Sequence, residues 1–124
     1  MIAVDTSSLI GYLAGDDGGD AGIVEAALAD QTAVLPPAVL AELLSAPRLA
    51  PEVAQAFSDL PTLEILDGYW HRVGSIRANV LRGGNRARLA DALIAQSCID
   101  HDMPLVTRDR DFRHFVSFGL SVLT

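Results

Sequence analysis

Five carboxylates stand in places where an acid is conspicuous. Asp5 ends the apolar run Ile2-Ala3-Val4, and Asp109 and Asp111 follow the run Leu105-Val106-Thr107. Glu42 and Asp91 interrupt apolar stretches, one among Val39, Leu40, Leu43 and Leu44, the other among Leu89, Ala92, Leu93 and Ile94. Burying an ionised carboxylate without a partner costs several kcal/mol, so a neighbouring arginine or a divalent cation must compensate it. Singly, each acid has an ordinary explanation. Asp5 can cap a helix, Asp91 can sit in a first turn favoured by the helix dipole, Glu42 can pair with an arginine, and Asp109 and Asp111 can be turn residues. Jointly, acids arriving from four segments at one sheet edge form an all-oxygen donor set with no His or Cys among them. Such a set suits a hard cation, Mg²⁺ or Mn²⁺, rather than zinc.

The convergence depends on the elements that carry these residues. Ile2–Val4 reads as a strand buried on both faces of a parallel sheet, and Thr6-Ser7-Ser8 as the cap of a short helix over Leu9–Leu13. Asp16-Asp17-Gly18-Gly19-Asp20 reads as a solvated turn without EF-hand spacing, followed by a helix over Ala21–Asp30. Ala33–Leu35 is a second strand, and Pro36-Pro37 opens a helix over Ala38–Ser45, with another over Pro51–Leu60. Leu63, Ile65 and Leu66 suggest a third strand. Asp67 is expected to cap a long helix, Gly68–Arg82, with Trp70, Val73, Ile76 and Val80 facing inward. A helix over Leu89–Ile99, a fourth strand over Pro104–Thr107 and an edge strand over Leu120–Leu123 complete the chain. This alternation predicts one three-layer α/β domain over residues 1–124, built on a parallel sheet flanked by helices. Ligands in such sheets bind at the carboxyl ends of the strands, where Asp5 and Asp109 fall.

Composition narrows the function. A net charge of -7 excludes binding nucleic acid by bulk positive charge, though not by a metal and a few local arginines. All nine basic residues are arginine. Without lysine, a P-loop phosphate site, a Schiff base and the active-site lysine of response-regulator receivers are unavailable. Arg86, Arg88, Arg108 and Arg110 flank the acidic motifs and are candidates for contacts to RNA phosphates. No apolar run is long enough to span a membrane and no signal peptide is evident, so a cytoplasmic location is expected. Cys98 lies in an apolar helical pattern as a small core residue, and His71, His101 and His114 have no ligand spacing.

Asp5-Thr6-Ser7 after a hydrophobic run, Glu42 in a helix, Asp91-Ala92-Leu93-Ile94-Ala95, and Leu105-Val106-Thr107-Arg108-Asp109-Arg110-Asp111-Phe112 occur in an order that resembles the PIN-domain ribonucleases of the VapC type. These are toxins of bacterial type II toxin–antitoxin pairs. The resemblance runs the full length; the last two motifs are specific and the first is weak alone. It implies strand order 3-2-1-4-5, which sets strands one and four side by side. It implies that Asp5, Glu42, Asp91 and Asp109 form a catalytic metal pocket, with Asp111 a fifth ligand and Thr6, Ser7 and Thr107 in support. One or two Mg²⁺ ions, about 3.5–4 Å apart if two, would then drive in-line hydrolysis of a phosphodiester to a 3′-hydroxyl and a 5′-phosphate. Clustered carboxylates repel one another, so some should have raised pKa values.

The implied partners are RNA, a cognate antitoxin whose tail lays a basic side chain against the pocket, and a second copy of the chain. The helices Ala38–Ser45 and Pro51–Leu60 are the expected dimer and antitoxin surfaces of a hetero-oligomer. Two other readings compete. A PIN-like domain that binds RNA or a partner without cleaving is opposed by the intact acid set. A haloacid-dehalogenase-like phosphatase would need a second Asp at Ser7 and a lysine.

Overall fold

A computed structural model describes residues 1–123. Its centre is β1 (Ile2–Val4), paired in parallel with β2 (Ala33–Val34) on one side and β3 (Leu105–Val106) on the other. β4 (Val122–Leu123) adds in parallel outside β3, giving the order β2-β1-β3-β4. Ala3, Val4, Leu105 and Val106 are buried, which explains why these strands read as unbroken apolar runs. The expected third strand survives as a single parallel bridge between Leu35 and Thr62, on the outer side of β2. The order 3-2-1-4-5 therefore holds with its first member reduced to one bridge. The cause is local: Leu35 exchanges two hydrogen bonds with Pro61 and Leu63, and then Pro36 and Pro37 offer no N–H to continue the ladder.

Among the described residues six α-helices flank the sheet: α1 (Thr6–Leu13), α2 (Gly19–Ala29), α3 (Pro37–Leu44), α4 (Pro51–Ser58), α5 (Tyr69–Arg82) and α6 (Leu89–Asp100). α1 packs on α2 and α5 on α6, while α3 touches α1, α4 and α6. The α5–α6 pair is clamped by Arg72, which donates Nε to Asp100 Oδ1 at 2.9 Å and a terminal nitrogen to Oδ2 at 2.7 Å. Tyr69 Oη donates to the Leu93 carbonyl oxygen at 2.6 Å.

Four details depart from the sequence expectation. Thr6, Ser7 and Ser8 lie inside α1 rather than capping it; the cap position is Asp5, whose carbonyl accepts from Leu9 N while its carboxylate makes no cap bond. Asp67 does not cap α5: Gly68 does, at φ +81, a left-handed conformation that glycine adopts without strain. Trp70 points outward at 63% exposure and Tyr69 takes the buried place beside it, a phase error of one residue in the helical pattern. Finally, β3 leads into a 3₁₀ helix over Arg110–Phe118, unusually long for its type, anchored by the buried Phe112 and Phe115.

Candidate functional site

Because β1 and β3 are parallel neighbours, their carboxyl ends leave the sheet side by side. Asp5 follows Val4, its N–H still donating to the Val106 carbonyl at 3.0 Å, and Thr107 follows Val106. Thr107 is buried and joins the two strand ends. Its Oγ1 donates to Asp5 Oδ2 at 2.7 Å and accepts from the Asp109 backbone N–H at 3.0 Å. Ser7, in the first turn of α1, donates to the same Asp5 Oδ2 at 2.7 Å. Two donors on one oxygen fix the carboxylate's rotation, and among the described residues Oδ1 has no partner. The bonds that hold Asp5 also explain why it does not cap α1.

Asp91 reaches the same edge from the first turn of α6, and Asp111 from the first turn of the 3₁₀ helix. Asp109 Oδ1 accepts from the Asp111 N–H at 2.9 Å, which caps that helix and turns both side chains toward α6. Carboxylate oxygens of Asp91, Asp109 and Asp111 come within 4.8 Å of one another. A cavity of about 330 Å³ opens beside them, lined by Asp5, Thr6, Ser7, Glu42, Arg88, Asp91 and Asp109 among others. Glu42 reaches it from α3 and accepts from Thr6 Oγ1 at 2.7 Å. Glu42 is solvent-exposed, so the desolvation argument that singles it out in the sequence does not apply to it.

That argument does apply to Asp91, which is 4% exposed. Burial pushes its carboxyl above the usual range, Arg88 pulls it back, and Asp109 and Asp5 raise it further. The expected mutual repulsion of the acids is thus present but ranks below burial. Arg88 is the sole ion-pair partner of Asp91 among the described residues, with Nε 3.4 Å from Oδ2, and a terminal nitrogen lies 3.2 Å from Asp109 Oδ2. Three convergent carboxylates, one of them buried against a single long contact, with oxygen donors only, are what a hard divalent cation needs. Asp91, Asp109 and Asp111 could hold such a metal ion.

The four arginines singled out by sequence separate in space. Arg88 stands in the pocket. Arg86 and Arg110 are exposed and make no ion pair among the described residues. Arg108 is turned away and committed within the fold: Nε and a terminal nitrogen bond Asp20 at 2.8 and 3.2 Å, and the other terminal nitrogen bonds Asp16 at 2.8 Å. This corrects two expectations. Arg108 is not free for phosphate, and the Asp16–Asp20 segment is not merely solvated, since Asp20 is buried and its carboxyl is held low by Arg108. Gly11 makes room for that guanidinium, which a β-carbon there would strike. Nothing local could have shown a contact spanning 88 residues. A second cavity, about 460 Å³, lies beside the Thr107–Arg110 segment with Arg110 and Arg113 on its wall. Arg113 was not singled out in the sequence, because it stands outside the acidic motifs.

A strand-end pocket of carboxylates on a parallel α/β sheet defines a class, and a family model agrees with it. The PIN domain model matches residues 2–116, and the chain belongs to that family. Solved structures of the same fold include VapBC2 from Rickettsia felis bound to a promoter DNA fragment, at TM-score 0.75 and 20% identity over 99% of this chain and 98% of that one. FitAcB from Neisseria gonorrhoeae aligns at TM-score 0.70 and 17% identity, over 100% and 97% of the two chains. VapBC-5 from Mycobacterium tuberculosis, a member of the VapBC family of toxin–antitoxin systems, aligns at 0.58 and 22%, over 73% and 79%. No curated protein matches the chain in sequence. Among the described residues no helix is long and apolar enough to cross a membrane.

Proposed function

We propose that this chain, read as a single PIN domain, is a Mg²⁺-dependent endoribonuclease and the toxin of a type II toxin–antitoxin module. The observation that carries the reading is the meeting of Asp91, Asp109 and Asp111 beside Asp5 at the ends of two adjacent parallel strands. Asp5, Asp91, Asp109 and Asp111 would hold the ion, with Mn²⁺ an acceptable substitute on the same oxygen donors, and Glu42 completes the acidic wall. A bound divalent cation would polarise the scissile phosphate and lower the pKa of an attacking water. The chain's own residues supply the positioning. Thr107 and Ser7 lock Asp5, the Asp111 N–H locks Asp109, and Thr6 holds Glu42 at the opposite wall. Exposed Arg86 and Arg110 are the proposed phosphate contacts, and Arg110 with Arg113 would extend that path along the second cavity.

Partner and location follow from the same reading. One solved relative is a member of the VapBC family of toxin–antitoxin systems, which supports an antitoxin partner; a homodimer, a hetero-oligomer with the antitoxin and a cytoplasmic location belong to the same proposal. Exposed Leu44 on α3 and Val53 on α4 favour those helices as the covered surfaces. The test is expression in bacteria of wild type beside Asp5→Asn and Asp91→Asn, with RNA cleavage by the purified proteins in Mg²⁺ and in EDTA. Growth arrest and Mg²⁺-dependent cleavage by wild type alone support the enzyme. Equal toxicity of all three, or cleavage in EDTA, refutes it.

A further inference from the structure

We propose that Arg88 is a resident counter-cation of the acidic pocket, which a divalent ion must displace before it can be held. The proposal rests on the metal reading above and concerns how that same site is regulated. Among the described residues three arginines make ion pairs, and they differ in kind. Arg72 and Arg108 each grip a carboxylate at two points, with contacts as short as 2.7 and 2.8 Å, the lengths of strong charge-assisted bonds. Arg88 has no such two-point grip: it touches Asp91 and Asp109 once each, at 3.4 and 3.2 Å. Both belong to the triad that would take the metal.

The backbone under Arg88 is fixed while its side chain is loose. Arg88 occupies the N-cap position of α6, and Ala87 before it is buried, with its carbonyl held by Arg77 Nε at 3.0 Å. The Arg88 side chain is 66% exposed. A guanidinium on a fixed stem can therefore swing out to water without unfolding anything. While it stays, it offsets the repulsion between Asp91 and Asp109 and supplies the buried Asp91 with its one ion-pair partner. A divalent cation held by the same carboxylates would compete with the guanidinium for Asp91 Oδ2 and Asp109 Oδ2. Binding is then an exchange of one positive group for a doubly charged ion, and the apparent metal affinity is lowered by the cost of removing Arg88.

The experiment is a Mn²⁺ titration of the intact protein, free ion read by electron paramagnetic resonance, for wild type, Arg88→Ala and Arg82→Ala. Arg82 is exposed, bonds Asn79 and controls for the loss of one surface charge. Arg88→Ala is expected to bind Mn²⁺ at least about threefold tighter than wild type, the scale on which exposed ion pairs compete, and Arg82→Ala to match wild type. In wild type, saturating Mg²⁺ should also shift the Arg88 Nε–H resonance. Unchanged or weaker binding by Arg88→Ala, an equal gain in Arg82→Ala, or an unmoved Arg88 resonance overturns the proposal while leaving the metal site standing. If none of the three proteins binds Mn²⁺, the metal reading itself falls, and this inference with it.

Discussion

Thr107 is where stability and site geometry meet, and Thr107→Val separates them. Valine keeps the shape of the side chain and replaces the hydroxyl with a methyl, so no cavity forms. Two short hydrogen bonds disappear, the donation to the Asp5 carboxylate and the acceptance from the Asp109 N–H, together with a longer 3.4 Å contact to Ser7 Oγ. A hydrogen bond to a charged group contributes about 1.5–3 kcal/mol, and an orphaned buried N–H costs about 1–3 kcal/mol. The two are partly shared, because Ser7 still serves Asp5 and water can reach the half-buried Asp109. A net loss of about 2–4 kcal/mol follows, which for a domain of this size lowers Tm by roughly 8–16 °C. Thr107→Ser keeps both bonds and removes one buried methyl, at about 1 kcal/mol. Thermal unfolding by circular dichroism at pH 7 in EDTA, at fixed protein concentration, should therefore rank wild type, serine and valine in that order. The valine variant should also lose Mn²⁺ affinity, because nothing then joins Asp5 to the Asp109 loop. A serine variant less stable than valine would show that packing, not hydrogen bonding, is what Thr107 provides, and the reasoning would fail.

Other outcomes follow from the same geometry. Asp91 carries a raised pKa through burial, so its contribution to stability is present below the unfolded carboxylate pKa and is lost as pH rises through the folded one. Asp91→Asn should therefore raise the Tm of the metal-free protein at neutral pH, by an amount that shrinks as pH falls, while abolishing metal-dependent cleavage. Asp20 is the opposite case: Arg108 lowers its pKa, so its contribution is present above the unfolded value and is lost on acidification. Arg108→Met should destabilise at pH 7 and converge on wild type below about pH 4 in denaturant titrations. Gly11→Ala should mimic Arg108→Met by expelling the guanidinium, and the double variant should be less destabilised than the two single losses added together. The Cys98 thiol is fully buried and its pKa is pushed up to about 12, so a maleimide should label it in denaturant and not in the native protein.

The proposed antitoxin surface and the proposed metal pocket place different demands on the chain. Exposed apolar side chains such as Leu44 and Val53 lower the solubility of the lone chain and gain only when covered. The buried Asp91 costs stability and gains only when a cation compensates it. Both features are weak points of the isolated fold, and on the proposed function each would be compensated by what binds it.

Much of this protein was legible in the order of its residues. Apolar runs without polar interruption marked β1, β2 and β3, because a strand buried on both faces leaves no room for polar residues, and 3.6-residue spacing marked the helices. The acids were visible because Asp5 and Asp109 stop such runs and Asp91 breaks an apolar helix face. The sequence could not show the Thr107–Asp5 bond across 102 residues or the Arg108–Asp20 clasp across 88, since each exists only once β1 and β3 pair and α2 packs behind them. Nor could it say which arginines stay free. Arg88, Arg108 and Arg110 are alike in type and all lie near acids, yet one stands in the pocket, one is tied to Asp16 and Asp20, and one makes no ion pair among the described residues. Residue type and local spacing determine what a side chain can do; the register of the sheet and the packing of the helices decide which partner it meets.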